Sequence, residues 1–233
     1  MNIAVIVPTL NEAGNIGELI PQIHAALKSD YTIIIIDDNS QDGTQNIVKG
    51  LSAAYPIKLI ARPGKLGLAS AVIDGINSQE ADAYIVMDAD FSHPPDLLAV
   101  IRRNLNDHDL VVASRHVKGG GASNWPLKRK IISLVAITLA RPLTRVRDVT
   151  SGYFAIRHEC LEDVTLTPLG YKIGLECFVK ANWENYIEIP FIFAERKSGS
   201  SKLGRGEFIA YVKHLRKLYA FSTKRHIRRV LHK

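Results

Sequence analysis

Asp88 and Asp90 stand two residues apart in Val86-Met87-Asp88-Ala89-Asp90-Phe91-Ser92-His93-Pro94-Pro95 and close the apolar run Ala83–Met87. Hard carboxylate oxygens of this kind suit Mg²⁺ or Mn²⁺ carrying a substrate diphosphate. The run before them reads as a buried strand, and acids at a strand's C-terminal edge lie where open α/β sheets take ligands. Pro94-Pro95 ends the loop and can open the next helix. Alone, an Asp-Ala-Asp serves a helix-capping turn as readily as a metal. Its place after a buried strand, and the other strand-end motifs, favour chemistry on a nucleotide-linked substrate.

Three further strand ends carry reactive residue types. Pro8-Thr9-Leu10-Asn11-Glu12 follows the first strand and puts Glu12 at the ligand edge, although Asn11 to Asn15 would also cap a helix. The second strand ends in Asp37-Asp38-Asn39-Ser40, then Asp42-Gly43-Thr44. Acids there can hydrogen-bond a nucleobase or ribose hydroxyls, whereas Asp42-Gly43 reads as a turn and cap. Arg62-Pro63-Gly64-Lys65-Leu66-Gly67 follows the third strand. Its glycines let backbone approach a ligand and Lys65 can face a phosphate; the order of a P-loop is missing.

The elements that must position these groups alternate. Ile3–Val7, Thr32–Ile36, Ile57–Ile60, Ala83–Met87 and Leu110–Ala113 are apolar and rich in Ile and Val. Between them run helical patterns over Ile16–Leu27, Thr44–Ala54, Leu68–Asn77 and Asp96–Leu105. Repeated βαβ units predict an α/β fold with a mostly parallel sheet and helices on both faces. After Ser114 the composition changes: Gly119-Gly120-Gly121 reads as a flexible loop, followed by a helix over Ile131–Ala140. Strands are expected at Tyr153–Ile156 and Ile187–Phe193, with a helix near Lys172–Ala181 between them and no linker that would split off a domain. Gly206–Phe221 carries Phe208, Val212, Leu215 and Tyr219 on one helical face, flanked by Tyr211 and Leu218, with His214, Arg216 and Lys217 largely off it.

The 233 residues suffice for one large α/β domain with a proper core. The net charge of +7 is a property of the C-terminal end: Arg196 to Lys233 holds twelve Lys/Arg against one acid, Glu207, and the remainder is net −4. Such an end points to phosphates, an anionic membrane surface or nucleic acid. The last dozen residues, basic with Ile227, Val230 and Leu231 interspersed, fit an interfacial amphipathic helix or a solvated terminus. No apolar run reaches the ~18 residues of a spanning helix, and no signal peptide is visible. The two cysteines, Cys160 and Cys177, lack metal-ligand spacing and suit a reducing compartment.

In order along the chain, Val-Pro-Thr-Leu-Asn-Glu (7–12), Asp-Asp-Asn-Ser-Gln-Asp-Gly-Thr (37–44), Asp-Ala-Asp-Phe-Ser-His-Pro-Pro (88–95), Ser114-Arg115-His116, Asn124-Trp125-Pro126, Asp148-Val149-Thr150-Ser151-Gly152 and Arg196 through Lys202 form one set. This set resembles the dolichyl-phosphate (polyprenyl-phosphate) mannosyltransferase group of the family 2 glycosyltransferases, which have the GT-A (Rossmann-like) fold. The resemblance implies a single GT-A catalytic domain over 1–204 and a basic, amphipathic helical extension over 205–233. It implies that Pro8, Glu12, Ile36, Asp37 and Asp38 hold the nucleoside, and that Asp88, Ala89 and Asp90 face the diphosphate and a Mg²⁺ or Mn²⁺ ion. Ser92 stands where some relatives have a glutamine ligand. Arg115, Arg129, Arg196 and Lys202 would surround the donor diphosphate and the acceptor phosphate; His93 and His116 are given structural or phosphate-contact roles.

The implied reaction is inverting transfer of mannose from GDP-mannose to a polyprenyl phosphate. A lipid phosphate monoester, with a second pKa of ~6, is already a nucleophile at neutral pH, so cations rather than a protein base are what the enzyme must supply. The implied setting is the cytoplasmic face of a membrane, reached peripherally either through 129–140 and the basic end or through a small membrane-anchoring subunit of the kind some relatives depend on. Three other readings stand beside it: another donor such as UDP-glucose, a catalytically silent subunit, and a nucleic-acid-binding protein. Against the last, the basic end lacks interleaved stacking aromatics and any recognition motif.

Overall fold

The computed structural model describes residues 1–123, 127–168, 172–194 and 205–231, with side chains inside the last two long helices described at 131–140 and 209–225. Along the chain run β1 (Ile3–Thr9), α1 (Ala13–Leu27), β2 (Tyr31–Asp37), α2 (Thr44–Leu51), β3 (Ile57–Ala61), α3 (Leu68–Asn77), β4 (Ala83–Val86), α4 (Leu97–Asn104) and β5 (Leu110–Ser114). The second half adds β6 (Gly121–Ala122), α5 (Leu127–Ala140), β7 (Phe154–Arg157), α6 (Ile173–Lys180), β8 (Tyr186–Pro190), β9 (Ile192–Phe193) and α7 (Arg205–Leu231). The main sheet has seven strands in the order β3-β2-β1-β4-β7-β5-β8.

β1, β2, β3 and β4 are parallel, and their register aligns the C-terminal ends, Thr9 beside Asp37 and Asp37 beside Ala61. Strands this apolar on both sides need cover on both faces. Ile3, Val5, Val7, Ile33 and Ile35 pack beneath Ile16, Leu19, Ile20 and Ile23 of α1, Val48 of α2, and Leu98 and Ile101 of α4. The alternate residues Ala4, Ile6, Ile34 and Ile36 pack with Ala69 and Val72 of α3 and Ile173, Cys177 and Phe178 of α6. At Gly75 α3 lies so close to the sheet that a Cβ would stand 2.8 Å from Ile6 Cγ2.

β7 differs from the simple βαβ expectation. It is antiparallel to both β4 and β5, with Phe154 opposite Val86 and Val112. The strand expected over Ile187–Phe193 divides at Phe191: β8 pairs with β5, while β9 turns away to pair with β6. Gly119-Gly120-Gly121 is correspondingly a built turn. Gly119 takes φ +89°, a Cβ on Gly120 would sit 2.3 Å from the Ser114 carbonyl oxygen, and Gly121 opens β6. The glycines are there for close approach as much as for freedom.

Residues 205–231 form one continuous helix, α7. It docks through Tyr211, Leu215 and Leu218 onto Leu175 and Val179 of α6 and Ala140 of α5. His214, expected off the apolar face, is buried on it. Its Nε2 lies 3.0 Å from Glu176 Oε2, and the Glu176 carboxylate also takes the Lys180 ammonium at 2.5 Å and the Thr167 N–H at 2.7 Å. Polar residues enter such a contact only when paired, and a buried carboxylate partner is what a helical-wheel reading lacks. On the outer side Ile131, Ile132, Leu134, Val135 and Leu139 of α5 and Ile209, Val212 and Tyr219 of α7 are exposed, Leu134 to 63%. Among the described residues no helix is long and apolar enough to cross a membrane. Both cysteines are free and buried, and burial pushes the Cys160 thiol up to about 12, which removes it as a nucleophile at neutral pH.

Burial alone would raise the Glu176 carboxyl, but hydrogen bonds from His214, Lys180 and Thr167 outweigh it and hold it below the usual range. A value lower in the folded than in the unfolded chain stabilises above the unfolded pKa of ~4.3 and is lost as pH falls through the folded one. Glu176→Gln is therefore expected to lower stability at pH 7 by about 3–5 kcal/mol and to flatten the decline of Tm below pH ~4. Urea and thermal melts across pH 3–8 check this; a variant whose Tm profile overlays the parent's would contradict it.

Candidate active site

The parallel part of the sheet grows from β1 outward to β3 and then returns across β1 to β4, so the strand order reverses between β1 and β4. Ligands in such sheets bind at that crevice, beyond the C-terminal ends. Thr9, Asp37, Asp38 and Asp88 all stand there. The turns after β1 and β2 are laced to each other. The Asn11 N–H donates to Ser40 Oγ (2.8 Å), Gln41 N–H to Asn11 Oδ1 (3.0 Å), Glu12 N–H to Thr44 Oγ1 (2.9 Å) and Ala13 N–H to Asp42 Oδ2 (2.9 Å). Asp42 also accepts the Thr44 N–H and hydroxyl, and Gly43 precedes α2 at φ +94°. The turn-and-cap expectation for Asp42 and Gly43 thus holds, and the Glu12 carboxylate receives the Asn15 amide at 2.7 Å.

The adjacent acids Asp37 and Asp38 face different tasks. Asp37 is fully buried and accepts from Thr9 Oγ1, Ser40 N–H and Oγ, and Gln45 Nε2. Asp38 forms an ion pair with Arg62, through Nε at 2.5 Å and Nη2, and accepts the Gly67 N–H at 3.0 Å. Arg62 itself is 5% exposed and reaches on to Ser70, Asp74 and the Gly67 carbonyl. The pair therefore fastens the 62–67 loop against the end of β2. Ile36 is buried under this corner, Pro8 is half-buried, and Lys65 on the loop is exposed to solvent. Sequence reasoning saw Arg62 only as part of a glycine loop; a buried guanidinium between two elements has no local signature.

Beyond β4, Asp88 is partly exposed while Ala89, Asp90 and Ser92 are buried. Phe91 takes φ +62°, and Asp90 Oδ1 accepts the Ser92 N–H at 3.0 Å, closing the turn. Ser92 Oγ is buried without a hydrogen-bond partner, the one such side-chain atom found among the described residues. Unsatisfied buried oxygens are rare and call for a reason. The donor set fits a hard divalent cation held jointly with a diphosphate. It offers two carboxylates and a hydroxyl, all oxygen, and no cluster of three or more His, Cys, Asp or Glu among the described residues would cage an ion unaided. Mg²⁺ sites with phosphate substrates are built from one or two carboxylates in this way.

β7 delivers the third side. Because it is antiparallel, the segment preceding it reaches the same edge as the ends of β4 and β5. Asp148, fully buried, takes Arg115 bidentately, Oδ1 from Nη2 at 2.7 Å and Oδ2 from Nε at 2.8 Å, and also the Arg115 N–H at 2.9 Å. Thr150 Oγ1 accepts Arg115 Nη2 at 2.8 Å, and the Phe193 ring lies 5.6 Å from the guanidinium carbon. Burial alone would raise the Asp148 carboxyl; the hydrogen bonds and charge of Arg115 prevail and hold it low. Lys172 Nζ donates to the Thr150 carbonyl at 3.0 Å. Burial lowers the His93 pKa, with Asp88 and Asp90 opposing and Arg115 and Lys172 assisting, so these four charges and the ring share one locality. Lys172, a lone lysine before an apolar helix, gave no signal in sequence. Of the other expected cations, Arg129 lies on α5 without a described side chain, and Arg196 and Lys202, like Asn124-Trp125-Pro126, lie outside the described residues.

Comparisons with known proteins agree with this architecture. The family model of glycosyl transferase family 2 matches residues 4–165. A dolichol-phosphate mannosyltransferase of Pyrococcus furiosus is 41% identical over 94% of the chain, which spans 64% of that relative's length. One from Saccharomyces cerevisiae is 34% identical over 94% of the chain and 87% of its own. Among solved structures, a mannosyltransferase from Pyrobaculum calidifontis in complex with GDP-Man and Mn²⁺ superposes with a TM-score of 0.63 at 20% identity, covering 96% of this chain and 64% of that one. Glucosyl-3-phosphoglycerate synthase from Mycobacterium tuberculosis with Mn²⁺, UDP and glucosyl-3-phosphoglycerate gives 0.68 at 17% identity, covering 95% and 79%. The fold shared with these structures is GT-A. With the strand-end acids in place and the family model spanning them, the chain belongs to glycosyl transferase family 2.

Proposed function

We propose that this chain transfers mannose from GDP-mannose to the phosphate of a polyprenyl lipid, with inversion at C1 and dependence on Mg²⁺ or Mn²⁺. The observation that carries the reading is the juxtaposition at one sheet edge of a pair of aspartates and a guanidinium already locked by Asp148. The names of the relatives support the sugar and the lipid. Asp88 and Asp90, with Ser92 beside them, would hold the cation, and Pro8, Glu12, Ile36, Asp37 and Asp38 would shape the nucleoside pocket at the ends of β1 and β2. Ala89 would line the diphosphate, with Lys65 at its rim. Bound there, the cation would supply neutralisation of the diphosphate.

In this mechanism the lipid phosphate oxygen forms a bond to C1 while the bond from C1 to the nucleotide diphosphate breaks, the electron pair leaving with the diphosphate. A single displacement inverts the anomeric centre. Arg115 opposes the charge that gathers on the leaving oxygens, and its fixed geometry means no reorganisation is needed as that charge develops. Arg129, Arg196 and Lys202 are assigned to the two phosphate groups on the same logic. No base is required, because the nucleophile arrives ionised. Catalysis is placed in 1–204, and 205–233 is read as the extension that, with 129–140, meets the cytoplasmic face of a membrane. The exposed apolar residues of α5 and the basic C-terminal end support that contact.

Label from GDP-[¹⁴C]mannose should move into the organic phase when the protein, Mn²⁺ and a short polyprenyl phosphate are combined, and Asp90→Ala should abolish it without loss of fold. Label from UDP-glucose alone would replace the sugar, transfer only with added membrane extract would reveal an anchoring subunit, and full turnover by Asp90→Ala would sink the metal assignment. Asp148→Asn, which weakens the hold on Arg115, is expected to lower kcat/KM by about 10²-fold, measured by the same assay; parental kinetics would remove Arg115 from the machinery. Leu134→Asp should weaken flotation with anionic vesicles about 10-fold or more, and unchanged flotation would reject α5 as the contact.

A further inference from the structure

His93 follows the Asp88–Asp90 turn and is 2% exposed. Its Nδ1 lies 2.9 Å from the Asp88 main-chain nitrogen. That nitrogen carries the hydrogen and donates, so Nδ1 accepts, and the proton of the neutral ring resides on Nε2. Nε2 in turn lies 3.8 Å from Asp88 Oδ2. The ring thus hydrogen-bonds the backbone of an aspartate whose carboxylate stands beside it, beyond hydrogen-bond reach of Nε2.

The ring is itself held on several sides. It stacks on Tyr153 with centroids 4.9 Å apart and planes at 19°, and the rings of Phe191 and Phe193 meet it edge-on, each at 6.0 Å. The Tyr153 hydroxyl donates to the Pro94 carbonyl at 3.1 Å, tying the far end of the turn to the same aromatic slot. Even a Cβ on Gly152 would come within 3.4 Å of His93 Cε1. With Nδ1 engaged by an N–H and Nε2 carrying the proton, no lone pair remains for a substrate proton. General-base duty is excluded by this geometry.

We propose that His93 is a positioning residue for the cation site, fixing the main chain of Asp88 through the Nδ1 hydrogen bond from within its closed aromatic slot, so that Asp88 meets the ion in one conformation. The inference rests on the reading above that Asp88 and Asp90 are the metal ligands. Partners that orient a ligating side chain typically carry 10–100-fold in metal affinity, and the stacked, closed slot is what a ligand needs to be held to a fraction of an ångström.

The test is Mn²⁺ affinity of the full chain in saturating GDP, repeated with UDP, read from the electron paramagnetic resonance signal of free Mn²⁺. His93→Phe keeps the stack and loses the Nδ1 acceptor; it should raise the Mn²⁺ Kd about 10–100-fold. His93→Asn, whose Oδ1 can take the place of Nδ1, should recover much of that loss, which a purely packing role would not do. Should the Phe variant fail to fold, His93→Gln, which lacks an acceptor at the Nδ1 position, carries the same expected loss. A parental Kd in His93→Phe or His93→Gln, alongside loss of binding in Asp90→Ala, would overturn the role of His93 and leave the metal site standing. Parental Mn²⁺ binding in Asp90→Ala would overturn the metal reading, and this inference with it.

Discussion

The buried pair of Arg115 and Asp148 is the interaction on which the rest of the site depends. Taking two charges out of water costs several kcal/mol for each, recovered only when the geometry is good and the remaining polar valences are met. Here they are met. Asp148 receives three N–H groups of Arg115, its own N–H is taken by Glu188, and Thr150 bridges the pair. This is possible because β7 enters the sheet antiparallel between β4 and β5. A parallel strand in that slot would deliver its leading loop to the opposite edge, and Arg115 would be left at the end of β5 without a partner. The topology and the cation are therefore one design: the antiparallel strand exists where it does because the segment before it must reach the ligand edge.

The two pairs of neighbouring acids are held in different ways. Asp37 and Asp38 sit at the end of β2, where Asp37 is saturated by hydroxyls, an amide and a backbone N–H, and Asp38 is engaged by Arg62. Their negative charge is largely spent inside the protein, on joining the β1, β2 and β3 turns into one rim. Asp88 and Asp90, by contrast, are organised by contacts to their backbone and by short turns: an N–H held by His93, an Asx-type bond to Ser92. Under the proposed function, that organisation serves the cation site.

Sequence carried the first half of the fold because parallel strands covered on both faces read as unbroken Ile/Val runs, and helices between them are fixed by period and by caps. Leu68–Asn77 was legible to the residue; elsewhere in that half the ends moved by one to three positions, as at α1, which begins at Ala13 because the Glu12 carbonyl already accepts the N–H groups of Asn15 and Ile16. What stayed hidden depends on partners distant in sequence. The sense of β7 is set by neighbours on both sides. Gly120 of the glycine triplet is crowded by the Ser114 carbonyl, which no composition rule contains. His214 is polar in any helical pattern and becomes interior only because Glu176 faces it. In the site, motif residues were legible as types at strand ends, while Arg62 and Lys172 were not, since a single cation acquires meaning from the acid or carbonyl it meets.

The location of Lys172 links the site to the outer surface. In the proposed reaction two anions, a phosphate monoester and a diphosphate, repel by about 4 kcal/mol per pair of unit charges at 4 Å and an effective dielectric of 20, so fixed cations must precede the chemistry. Arg115 is fixed by Asp148. Lys172 is fixed at the entrance of α6 by the Thr150 carbonyl, and Thr150 also accepts from Arg115. One turn further along α6, Glu176 is the carboxylate that receives His214 of α7, and α7 in turn meets α5 where the Tyr211 and Tyr219 hydroxyls donate to the Ala136 and Leu139 carbonyls. A short rigid path therefore runs from the guanidinium, through Thr150, Lys172 and Glu176, to the helices that display exposed isoleucine, leucine and valine. The proposed acceptor, whose phosphate would enter at the sheet edge while its chain stays in lipid, would require the two surfaces to keep a constant separation. A charged cluster buried in the α6–α7 contact holds that separation more specifically than apolar packing would, because a slipped helix would leave Glu176 charged and unpaired.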